Sequence, residues 1–102
     1  MINEEILLNN GYHEYKDNFS LSDKSFQKKI TSERGIAYFI NIHEYMINDR
    51  TDYEIDLQFE KERYTLDITM FCLDNMTIED IEKEVHDIWY RLDCKYYEAN
   101  NE

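Results

Sequence analysis

The chain has 102 residues, 42% of them hydrophobic and 15% aromatic, and a formal net charge of -12. That length suits a single domain, 1–102, around one hydrophobic core, and so many aromatic residues exclude a disordered acidic tail. Two Gly and no Pro leave no Gly-rich phosphate loop, and no apolar run approaches the ~18 residues of a membrane helix.

The charge is uneven. Residues 1–43 hold six acids against five Lys/Arg, whereas residues 44–102 hold seventeen against six. Self-repulsion on this scale does nothing for folding, so it points to solubility or to a basic partner. The opening residues Met1-Ile2-Asn3-Glu4-Glu5 lack a basic region leading into an apolar run. No secretory signal is therefore expected, and the expected location is the cytoplasm of a bacterial host cell, with Cys72 and Cys94 as reduced thiols.

The first element reads as a short helix from Glu4, with Asn3 as its cap, Glu4 and Glu5 complementing its dipole, and Asn10-Gly11 as its stop. It packs through Ile6 and Leu7 or Leu8. Residues 12–22 read as a short strand and a loop. Phe26, Lys28 and Ile30 then alternate with Gln27 and Lys29, ahead of a turn at Glu33-Arg34-Gly35.

Residues 36–47 give the strongest strand, rich in β-branched and aromatic side chains. The polar run 48–52 predicts a turn. From 53 to 60 the period is two: Tyr53, Ile55, Leu57 and Phe59 face one way, Glu54, Asp56, Gln58 and Glu60 the other. A last strand over 64–72 sets Tyr64, Leu66, Ile68, Met70 and Cys72 opposite Thr65, Asp67, Thr69 and Phe71. Short connections predict antiparallel hairpins.

Thr77 predicts the N-cap of a carboxyl-terminal helix, with Glu79 and Asp80 in its first turn. Ile78, Ile81, Val85, Ile88 and Leu92 make one apolar stripe, flanked by Trp89. Residues 94–98 read as a further short strand, and 99–102 as a frayed end. The expected fold class is α+β: an antiparallel sheet of about four strands, with the amino-terminal helix and the amphipathic carboxyl-terminal helix on one face. Its core is expected to contain Ile55, Leu57, Ile68, Ile81, Val85 and Ile88.

Catalytic and cofactor signals are few. His13-Glu14, His43-Glu44 and His86-Asp87 pair a base with an acid, but neighbours on a strand point to opposite faces and no metal-ligand spacing recurs. They read as surface histidines, and neither a metal nor a cofactor is expected. Neither Cys lies in a Cys-x-x-Cys motif, and no Ser stands in a Gly-x-Ser-x-Gly turn. No enzyme is predicted. A Tyr/Phe-rich sheet able to stack bases also needs a positive groove, which this composition opposes, so direct binding to nucleic acid or membrane is not expected.

The acids themselves remain. Glu54, Asp56 and Glu60 share a strand face at steps of roughly 6.7 Å, with Asp67 beside them if the hairpin register holds. Glu79, Glu82 and Asp87, with Asp80 and Glu84, rim the helix. Carboxylates held on rigid elements imitate phosphates, which repeat about every 3.4 Å along one strand of a duplex. The expected partner is a basic host protein, such as a nuclease or another nucleic-acid-binding effector.

The segment Tyr38-Phe-Ile-Asn-Ile-His-Glu-Tyr45, the strand ending Asp67-Ile-Thr69, and Thr77-Ile-Glu-Asp-Ile-Glu82 through Ile88-Trp-Tyr-Arg-Leu92 to Tyr96-Tyr97-Glu98 resemble a group of small phage and prophage proteins of low-GC Gram-positive bacteria. The resemblance carries no residue-level site. It implies a setting in which small acidic proteins inhibit bacterial defence nucleases, as anti-CRISPR proteins do. Two other readings stay open: a phage structural or assembly protein whose acidity maintains solubility, and an acidic immunity-type protein against a basic toxin.

Overall fold

The computed structural model describes residues 2–16, 20–31, 37–59, 65–71 and 76–101, with backbone alone at Phe59, in the last strand and beyond Arg91. Its elements are helix α1 (Glu4–Asn9), strands β1 (His13–Tyr15), β2 (Lys24–Thr31), β3 (Ala37–Ile47), β4 (Arg50–Phe59) and β5 (Thr65–Phe71), and helix α2 (Ile78–Asn101). The strands form one antiparallel sheet in chain order, with three-residue β1 at one edge. The fold is α+β, as the sequence predicted.

Local chemistry accounts for the ends of the elements. The Asn3 side chain accepts from the Ile6 N–H at 2.9 Å, capping α1. Gly11 follows with φ +90°, a conformation that favours glycine, and the Asn10 amide donates to the Ile6 carbonyl. At α2 the Thr77 N–H donates to Asp80 Oδ2 at 3.0 Å while the Asp80 N–H donates to Thr77 Oγ1 at 3.2 Å, a reciprocal capping box. Hydrogen bonding to Thr77, first from its backbone N–H, holds the Asp80 carboxyl below its ordinary range.

Three expectations change. The turn after β3 is shorter than 48–52: Ile47 pairs with Arg50, leaving Asn48 and Asp49 to reverse the chain, with Asn48 at φ +49°. Residues 94–98 continue α2 rather than forming a strand. Among the described side chains of α2 the buried positions are Ile78, Ile81, Val85 and Trp89, while Ile88 is half-buried at the margin and Leu92 lies outside the described side chains. A step of four brings Trp89 back over Val85, and its large ring fills the space under the sheet.

The core lies between one sheet face and the two helices. Phe26, Tyr38, Ile40, Ile42, Ile55 and Leu57 come from the strands, Leu7 from α1, and Ile81, Val85 and Trp89 from α2. Register explains the shared face, since Phe26 lies opposite Ile42, Ile42 opposite Ile55, and Ile40 opposite Leu57. Tyr38 and Trp89 meet with ring centroids 4.5 Å apart. The expected contribution of Ile68 lies outside the described side chains. Two ion pairs tie the helices to β2: Lys24 to Glu4 at 3.0 Å and Lys28 to Glu82 at 2.9 Å.

Candidate interaction surface

Of the seven acids singled out in the sequence, the five whose side chains are described do not make one surface. On β4, Asp56 accepts from His43 Nε2 at 2.7 Å and, through its other oxygen, from Asn41 Nδ2 at 2.7 Å. Its side chain is 14% exposed. It serves the protein's own hydrogen bonding, and Glu54 beside it is half-buried. The register of β4 against β5 slips between Ile55 and Leu57, where Asp67 was to join the row. Glu60 and the Asp67 side chain lie outside the described residues. Among the described residues of the strand row, neither Glu54 nor Asp56 is fully exposed.

Glu82 is also displaced from its expected place on the helix rim. It is half-buried, accepting from Lys28 and, at 3.3 Å, from the Tyr12 hydroxyl. The Lys28 ammonium lies 5.4 Å from the Tyr12 ring centroid. Burial and the adjacent Glu82 carboxylate push the Tyr12 phenol well above its ordinary range. Glu79 and Asp87 are exposed on α2 as expected, with Asp80 and Glu84 exposed between them; Lys83 reaches Asp87 at 3.3 Å. α2 thus presents carboxylates, and β4 largely does not.

The histidines divide similarly. His13 and His86 are exposed, as predicted, but His43 is buried. It lies on the sheet face away from the helices, at the centre of a polar network that the sequence did not reveal. Ser20 Oγ donates to Ser22 Oγ at 2.7 Å, Ser22 and Ser25 hydroxyls meet at 2.9 Å, and Ser25 Oγ lies 2.8 Å from His43 Nδ1. Beyond Asp56, Asn41 donates to Gln58 at 3.2 Å and accepts from Gln27 at 2.9 Å. Asn41 is 3% exposed, and Ser25 and His43 are 4% exposed.

Pairing explains the convergence: Ser25 lies opposite His43, and Gln27 opposite Asn41 opposite Asp56. The signal available in the sequence was polar residues at alternate positions of three neighbouring strands, and recognising it requires the register. The network borders a half-open cavity of about 550 Å³ lined by Glu14, Tyr15, Lys16, Ser22, Asp23, Lys24 and Ser25. Among the described residues, no group of three or more His, Cys, Asp or Glu is placed to hold a metal ion.

A third feature sits at one end of the sheet. Leu21 is 96% exposed, and Met46 and Ile47 at the β3–β4 turn are 67% and 55% exposed. Asp23 ties these segments together: its N–H donates to the Glu44 carbonyl, and its carboxylate accepts from the Met46 N–H at 2.6 Å. Among the described residues, no helix is long and apolar enough to cross a membrane. No family model, curated protein or solved structure matches the chain.

Proposed function

We propose that this chain is an acidic inhibitor that occupies the Lys/Arg-lined cleft of a nucleic-acid-binding host protein, with α2 in the place of the phosphates. One observation carries this: Glu79, Asp80, Glu84 and Asp87 stand exposed on a helix whose opposite stripe is locked in the core. At 1.5 Å per residue they span about 12 Å. Phosphates repeat about every 3.4 Å along one duplex strand, so the charge density is comparable. A rigid helix presents this charge without the entropic cost of ordering it on binding.

On this reading the inhibition works by binding rather than turnover, in the cytoplasm of a bacterial host, and it needs neither cofactor nor metal. Its acidity repels DNA, so it competes with nucleic acid instead of binding it. The phage and anti-defence setting follows from the sequence resemblance.

The test is capture from a low-GC Gram-positive lysate over a salt series. A basic protein should be retained at low salt, released as the Debye length shrinks from about 30 Å at 0.01 M to about 10 Å at 0.1 M, and displaced by duplex DNA. Reversing Glu79, Glu84 and Asp87 to Lys should abolish retention mainly by slowing association. Reversing Glu54 should matter less, because that side chain is half-buried. Equal retention by the triple variant would remove α2 from the interface.

The exposed Leu21, Met46 and Ile47 favour one alternative, an assembly protein that joins copies of itself end to end. It predicts oligomers in size-exclusion chromatography that persist at high salt and are lost on changing Met46 and Ile47 to Ser.

A further inference from the structure

The polar network ends at the cavity wall, and its order there is that of a nucleophile, a base and an orienting acid. We propose that Ser25 is an activated nucleophile that accepts the acyl group of small carboxylic esters entering this cavity, with His43 as its base and Asp56 as the positioning carboxylate. This capacity is separate from the binding role of α2 and does not depend on it.

The geometry suits one protonation pattern. With Asp56 accepting from His43 Nε2 at 2.7 Å, Nε2 carries the ring hydrogen. In the neutral ring Nδ1 is then the lone-pair nitrogen, 2.8 Å from the Ser25 hydroxyl oxygen. The two nitrogens are used in the opposite order from the familiar serine-protease arrangement, but a neutral imidazole with either nitrogen protonated leaves the other as a base. Asp56 is itself fixed, because its second oxygen accepts from buried Asn41 at 2.7 Å. Each orienting partner is thus held by another, the condition for precise placement.

The cavity of about 550 Å³ falls within the usual size of a small-molecule site, and Ser22 and Ser25 are among its lining residues. Lys24 in the lining is engaged with Glu4, while Lys16, also a lining residue, is exposed. In the acylation step Ser25 Oγ bonds to the ester carbonyl carbon as its proton passes to His43 Nδ1. Asp56 steadies the resulting imidazolium while negative charge gathers on the carbonyl oxygen. The bond to the leaving oxygen then breaks, and that oxygen takes the proton from Nδ1 and departs as an alcohol. Water reverses the sequence: it gives a proton to Nδ1, its oxygen bonds to the acyl carbon, and Ser25 leaves with the proton restored.

The experiment is labelling of the native protein with a fluorophosphonate, which forms a P–O bond to the nucleophile as fluoride leaves. Intact mass and peptide mapping should place one adduct on Ser25, absent from urea-unfolded protein and from a folded Ser25→Ala variant. Removing the base or its orienting partner should slow labelling by about 10²-fold or more, the usual scale of general-base assistance. Asp56→Asn and His43→Gln each test this, and either suffices where the other does not fold. Reversing Glu79, Glu84 and Asp87 should leave labelling unchanged, which keeps this test apart from the binding test. No adduct on Ser25 of the folded protein, or an adduct formed as fast in both relay variants, overturns the proposal.

Discussion

The two faces of the sheet use the same strands and meet burial by opposite means. Toward the helices, Ile40, Ile42, Ile55 and Leu57 are fully buried among apolar neighbours, and their attraction is non-directional. On the other face Ser25, Asn41 and His43 are nearly as buried, but each depends on a hydrogen bond with a named partner. An apolar face loses stability in proportion to the volume removed. A polar face loses it whenever one partner leaves another buried and unsatisfied.

The largest effect should come from the apolar side. Trp89→Ala, which empties the position against Tyr38, should cost about 3–5 kcal/mol in urea unfolding. A loss below about 1 kcal/mol would mean that α2 does not anchor the core. On the polar side, Asp56→Ala leaves His43 and Asn41 short of an acceptor and should cost about 1–3 kcal/mol. Asp52→Ala on the same strand, whose partner Arg50 is exposed, should cost under about 1 kcal/mol. Similar losses for the two aspartates would erase the distinction between the faces.

Thr77→Ala removes the hydroxyl half of the α2 capping box and should cost about 1 kcal/mol by thermal melting. Tyr38→Phe should have the smallest effect at neutral pH. Among the described residues the buried Tyr38 hydroxyl has no hydrogen-bond partner, so its removal should be neutral or stabilising by less than about 1 kcal/mol.

Alkaline pH sharpens that last case. Burial, and secondarily Glu82, push the Tyr38 phenol from its ordinary 10.0 up to about 12. A raised folded-state value means that the stability tied to the neutral phenol is complete below pH 10. It is lost as the pH climbs from about 10 to about 12. Melting temperatures of the wild type should fall across that window, and Tyr38→Phe should flatten part of the fall. Tyr12, also raised, keeps the remainder.

Local and periodic features were legible in advance. The Asn3 and Thr77 caps, the stop at Gly11, the alternation through β4 and the stripe at Ile78, Ile81 and Val85 depend on neighbours within about a helical turn or a strand. Trp89 replaced Ile88 because periodicity gives a sector of the helix, whereas the space beneath the sheet chooses the side chain that fills it. The turn at Asn48-Asp49 was shorter than its polar run suggested, since Arg50 and Asp52 are as much at home on an exposed strand end as in a loop.

The sequence by itself determined the charge, its concentration beyond residue 43 and the elements that carry it. It could not determine which carboxylates remain available. That depended on pairing over 15 residues between Asn41 and Asp56 and over 54 between Lys28 and Glu82, contacts that exist only once the strands are in register and α2 is seated. The Ser25–His43–Asp56 relay arose in the same way, from three strands each contributing one unremarkable polar residue. Charge is a sum over residues and survives any rearrangement of the chain. A hydrogen-bonded site requires atoms within about 3 Å of one another, and only the folded sheet brings them there.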